Sequence, residues 1–175
     1  MTIRFILALV LALGAAEPLW AQGAPVLSTV RAMLEATQAI TVFDHVTASA
    51  SGGVITLEGK VTSRAKRDQI ETEVATVPGV RQIVNRVAVL GTTAGEDELR
   101  HRVARAIYGH TSFRRYAAMS QPPIRVLVDG SRVALAGEVG TAVERLVALS
   151  LAEAETKKPV DDQLVVRDRT ASARR

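Results

Sequence analysis

Side chains able to do acid–base, metal or nucleophilic chemistry are few in this sequence of 175 residues, and poorly spaced for it. The three histidines, His45, His101 and His110, have no partner at H-x-x-x-H or H-E-x-x-H spacing, which would put two ligands on one helix face. With no cysteine, disulfides, thiolate metal sites and a cysteine nucleophile are excluded. No G-x-S-x-G elbow or Gly-rich phosphate loop occurs. Glu96-Asp97-Glu98 and Asp161-Asp162 read as the negative start of a helix, favoured by its dipole, and as a turn. This inventory predicts no enzyme, no cofactor and no metal, and the histidines read as surface or edge residues.

Contact chemistry is better represented. Of the aromatics beyond the first 21 residues, Tyr108, Phe113 and Tyr116 fall together, beside His110, Arg114 and Arg115, and only Phe43 lies elsewhere. Rings with a polar tip suit a membrane–water interface, and each nearby arginine attracts anionic head groups by about 1 kcal/mol. Tyr108, His110, Phe113, Arg114, Arg115 and Tyr116 are therefore the candidate lipid-binding set. A plainer alternative packs Phe113 and Tyr116 under a sheet and leaves the arginines solvated.

Charge does not point to nucleic acid. Lys plus Arg number 22 against 18 Asp plus Glu, with a pI near 10.0. The excess sits largely in Arg167, Arg169, Arg174 and Arg175 of a basic, disordered tail over 167–175, and residues 22–166 are nearly neutral. Gly91 to Gly95 has G-x-x-x-G spacing rather than the G-x-x-G clamp of an RNA-binding KH unit.

Residues 1–21 combine a positive start at Arg4, an apolar stretch from Phe5 to Ala16 and a small residue at Ala21. This pattern predicts a cleaved signal peptide, since the apolar stretch is shorter than the ~20 residues of a membrane span. An exported chain without cysteine is expected in the periplasm.

Beyond this leader the chain is one unit written twice. Gly52, Leu57, Gly59 and Val61 recur as Gly130, Leu135, Gly137 and Val139 in an ungapped register. Each copy reads as helix, strand, strand, helix, strand. Val26, Leu27, Val30 and Leu34 share one helix face, as do Leu99, Val103 and Ile107. Alternating strands flank Ser51-Gly52-Gly53, a hairpin. Ser63 caps the next helix, Pro78-Gly79 stops it, and Thr141 with Glu144 predicts a capping box in the second copy. The predicted fold class is α+β: two tandem αββαβ domains over 26–90 and 96–166, each a three-stranded mixed sheet covered on one face by two helices. Gly91 to Gly95 reads as a flexible linker. Gly59 and Gly137, inside strands, mark a bulge or close backbone approach.

The copies differ in their later helices. Asp68, Gln69, Glu71 and Glu73 become Leu146, Val147, Leu149 and Leu151. This added apolar stripe predicts an interface, with the other domain, with an envelope partner or weak homo-oligomer, or with lipid.

Gly53-Val-Ile-Thr-Leu-Glu-Gly-Lys-Val61, then Ser63 and Arg67, then Val77-Pro-Gly-Val80 and Val84-Asn85-Arg86-Val87-Ala88-Val89, resemble the BON domain family. The second copy resembles it in divergent form, with Thr156-Lys157-Lys158 replacing Pro-Gly-Val. Gly52, Gly59, Pro78, Gly79, Asn85, Gly130 and Gly137 then serve as structural motif positions, with Asn85 bonding locally to backbone. Tandem domains behind a signal peptide are similar to OsmY-like periplasmic proteins. The resemblance implies a non-catalytic protein that binds phospholipid or envelope surfaces and supports stress tolerance. Its implied partner is anionic phospholipid or an envelope protein, not nucleic acid.

Overall fold

A computed structural model describes residues 23–167; the leader expected over 1–21 and all of the expected tail beyond Arg167 lie outside the described residues. Helix α1 (Gly23–Ala36) turns the Val30 and Leu34 face inward. Strand β1 (His45–Ser51) pairs antiparallel with β2 (Val54–Val61) around Gly52-Gly53. Helix α2 (Arg64–Ala75) begins where the Ser63 hydroxyl accepts the Lys66 N–H, satisfying a donor the first turn leaves free. It returns the chain to β3 (Gln82–Val89), parallel to β2. Ile55, Leu57, Val61, Ile70, Val74 and Val30 close the first core with no exposure.

The second unit repeats the plan with α3 (Ala94–Gly109), β4 (Ile124–Asp129), β5 (Arg132–Val139), α5 (Ala142–Thr156) and β6 (Asp161–Val166). The sheet orders are β1-β2-β3 and β4-β5-β6, so the expected α+β architecture of two mixed sheets is present. A short 3-10 turn (Thr111–Phe113) and helix α4 (Arg114–Ala117) are inserted before β4, elements the repeat did not foretell. Helix α3 takes in Ala94 and Gly95, which the sequence assigned to a linker. The full capping box sits at its start, where Thr93 and Glu96 bond each other's backbone. At Thr141 only half the expected box forms: its hydroxyl accepts the Glu144 N–H, while the Glu144 carboxylate turns to the Gly140 N–H.

Gly59 and Gly137 are required by close approach. A Cβ at either would lie 2.0 Å from a backbone oxygen, of His45 and Pro123 respectively, and φ is +133° and +100°. Asn85 accepts the Val87 N–H and donates to Glu71, stitching β3 to α2.

The domains dock. Leu90 meets buried Leu127 and Ala136 on the back of the second sheet. The Val42 carbonyl accepts the Val126 N–H at 2.7 Å, so the segment before β1 runs along the edge of β4. Gln121 and Arg125 donate to the Thr37 and Thr41 carbonyls, and Phe43 packs edge-on against His101 at 4.9 Å. Apart from exposed Leu146, the stripe on α5, for which docking on the other domain was one expectation, packs on the core of its own domain. Ala148 and Ala152 let α5 sit close on its own sheet, so Val147, Leu149 and Leu151 are drawn onto that core as flanks.

Candidate functional site

The aromatic segment is mostly interior. Phe113 has no exposure and stacks on buried Tyr116, ring centroids 6.0 Å apart. Tyr108 is half-buried, donating its hydroxyl to the Ile124 carbonyl, and burial pushes its phenol well above the ordinary value. The Tyr116 hydroxyl donates to Glu144 and accepts from Gly140 N–H, both at 2.8 Å. The expectation that these rings touch lipid is therefore corrected: a phenol with satisfied polar partners inside and its ring in the core has nothing to gain from a membrane. His110 is equally local, its Nδ1 accepting the Ser112 N–H.

The arginines of the segment remain outside. Arg114 is exposed, and Arg115 lies over the Tyr116 ring at 4.6 Å while donating to Glu144 at 2.6 Å. Burial raises the Glu144 pKa, but the bonds from Tyr116 and Gly140 and the Arg115 charge outweigh it, leaving the carboxyl below its ordinary value. This anchor ties α4 to the first turn of α5. On that turn and the next, Val143 and Leu146 are 68% and 67% exposed. Of the four stripe residues only Leu146 stands free of the core. Arg114 and Arg115 on α4 and Val143 and Leu146 at the start of α5 are thus all exposed, on helices joined through Arg115 and Glu144. Leu146→Glu is expected to shift stability by less than about 0.5 kcal/mol in urea unfolding, as for an exposed site; a loss above about 1.5 kcal/mol would mean that the side chain is covered.

Beside α4, the domains leave a cleft of about 900 Å³ between α1 and β1 on one side and β4, β5 and the residues after α4 on the other. Arg31, Arg115, Arg125 and Arg167 line it, against Glu35 and Glu138. Arg167 is paired with Glu138 at 2.7 Å. Arg125 instead donates to neutral acceptors, the Thr41 carbonyl at 2.9 Å and Gln121 Oε1 at 3.3 Å. Half-buried His45 stands near it; burial first, and the Arg125 charge second, lower the imidazole pKa. Neither residue is marked out by motif or spacing. A signal existed: in Ile124-Arg125-Val126-Leu127-Val128 the strand carries apolar residues on both faces, so its outer face, Arg125 included, had to be covered.

Among the described residues no group of three or more His, Asp and Glu could hold a metal, and no helix is long and apolar enough to cross a membrane. A family model for the BON domain matches this chain twice, over residues 24–91 and 101–168. No curated protein matches. Two solved structures of CdsD, a structural protein of the type III secretion system of Chlamydia trachomatis, overlap it. One is 12% identical with a TM-score of 0.34, covering 86% of this chain and 66% of that one, so the chain spans just under two thirds of it. The other, of the C-terminal domain, is 9% identical with a TM-score of 0.33, covering 85% and 67%. Neither likeness bears on function.

Proposed function

Because the chain belongs to the BON domain family, which suggests a non-catalytic role at a membrane or envelope, we propose that it is an exported periplasmic protein that binds anionic phospholipid surfaces and supports envelope integrity under stress. The contact is made by the α4 end of the second domain. The observation behind this reading is the exposure of Arg114 and Arg115 on α4 and of Val143 and Leu146 on α5, two helices joined by the Arg115–Glu144 bond. Arginines gain about 1 kcal/mol each near an anionic surface, and partial insertion of a leucine and a valine adds to that. With Arg115 already paired to Glu144, the attachment is weak and reversible.

Flotation with vesicles tests it. The chain is expected to float with phosphatidylglycerol-containing vesicles, not with pure phosphatidylcholine, and to be released as salt shortens the screening length. Arg114→Glu together with Leu146→Glu is expected to remove most of the floated fraction. Equal flotation with neutral vesicles, or none at low salt, would refute the reading. The second reading is docking on an envelope protein through the same bare Val143 and Leu146; such binding would survive high salt and fail with Leu146→Glu alone.

A further inference from the structure

Beyond surface attachment, and independent of it, the interdomain cleft has the makings of a ligand site. Its volume of about 900 Å³ lies within the range of small-molecule pockets, ~300–1,000 Å³. Four arginines line it against two carboxylates, Glu35 and Glu138, with Arg115 paired to Glu144 beside the cleft. One carboxylate is already committed to Arg167. Arg125 is the odd group. It is half-buried, and among the described residues no carboxylate is bonded to it. Carbonyl and amide oxygens return only part of the solvation a guanidinium gives up, so a cation held in this way is left with unused capacity for an anion. Arg31 adds to it, its only hydrogen bond among the described residues being a 3.5 Å contact to the Ala48 carbonyl. The rest of the lining includes Leu34, Ile40, Val46, Ala48, Met119 and Val139, which offer an anion no partner and an acyl chain a dry wall.

We propose that the cleft between the two domains binds a single-chain anionic amphiphile, its carboxylate or phosphate head between Arg125 and His45 and its chain along the Leu34, Ile40 and Met119 wall. Contributions from both domains make the site exist only while they are docked. Bound ligand would therefore hold the domains together, since anything that binds only the docked state stabilises it.

Titrating the labelled full chain with sodium decanoate below its micelle concentration, followed by backbone amide shifts, tests the assignment. Saturable shifts are expected at His45, Ala48, Arg125 and Gly140, and Arg125→Gln is expected to weaken binding at least ten-fold. Since Arg125 also bridges the domains, Met119→Asp supplies an independent variant: the residue is exposed, so folding is kept while the chain wall is spoiled, and a similar weakening is expected. Inorganic phosphate binding as tightly as decanoate would overturn the amphiphile in favour of a bare anion site. Decyltrimethylammonium binding equally well would overturn the role of the arginines, and absence of saturable shifts would overturn the site. Flotation of Arg125→Gln with anionic vesicles should match the parent, so failure of this inference and failure of the membrane reading are told apart.

Discussion

Asp44→Ala is expected to cost the first domain about 3–5 kcal/mol, enough to unfold it near room temperature in a protein of ordinary stability. The carboxylate has no exposure and is wholly employed. One oxygen accepts the Thr62 N–H at 2.7 Å and its hydroxyl at 2.9 Å; the other accepts the Thr41 N–H at 2.9 Å, its hydroxyl at 2.6 Å and the Lys66 ammonium at 2.5 Å. Alanine would leave these donors facing one another around a void, each losing about 1–3 kcal/mol of compensation that water can restore only in part. Burial by itself raises the Asp44 pKa, but Lys66, Thr41 and Thr62 outweigh it and hold the value below the ordinary one. A group lowered on folding contributes its stability above the unfolded value near ~3.9, and that contribution fades as pH falls through the lower folded value. Urea unfolding at neutral pH should show the full loss. The variant should also lack the steepest part of the parent's decline below about pH 4. A neutral-pH loss under about 1 kcal/mol would show that the buried carboxylate does not hold the domain together.

The second large effect is expected at Arg100, which is 1% exposed in α3. Its guanidinium bonds Asp97 at 2.5 Å, the Val128 carbonyl at 2.8 Å and the Gly91 carbonyl, leaving only Nε without a partner among the described residues. It therefore binds three separate stretches: the exit from β3, the start of α3 and the end of β4. Arg100→Met is expected to cost about 3 kcal/mol, because two backbone carbonyls and a carboxylate lose their donor together. Arg100→Lys should recover little, since a single ammonium cannot span what the planar fork spans. Because Gly91 lies between the domains, amide exchange should quicken around Leu90 and Leu127 as well as within α3. A variant as protected as the parent at those two leucines would show that Arg100 has no part in docking.

Periodicity and repetition are local properties, and so they were legible. The alternation in β1, β2, β4 and β5, the faces of α1 and α3, the cap at Ser63 and the glycines facing His45 and Pro123 follow from residue types a few positions apart. Features that depend on residues distant in sequence were not. Asp44 looks like a loop aspartate until the chain brings Thr62 and Lys66 to it. Arg100 looks like a solvated helix residue until Gly91 and Val128 close around it. The cluster from Tyr108 to Tyr116 has the composition of a membrane edge, and an inserted turn instead rolls its rings into the core. The stripe on α5 was correctly unlike its counterpart on α2, but alanines at its centre draw three of its four residues onto their own domain and leave only Leu146 outside.

One end of the second domain, and no other face, is expected to meet the membrane. A chain without cysteine allows a clean test, since one introduced thiol carries one label. Leu146→Cys and, on the far domain, Thr72→Cys, each bearing an environment-sensitive fluorophore, would be mixed with phosphatidylglycerol-containing vesicles. A blue shift and brightening at position 146 with no change at position 72 is the predicted result; no shift at 146, or an equal shift at both, would contradict it.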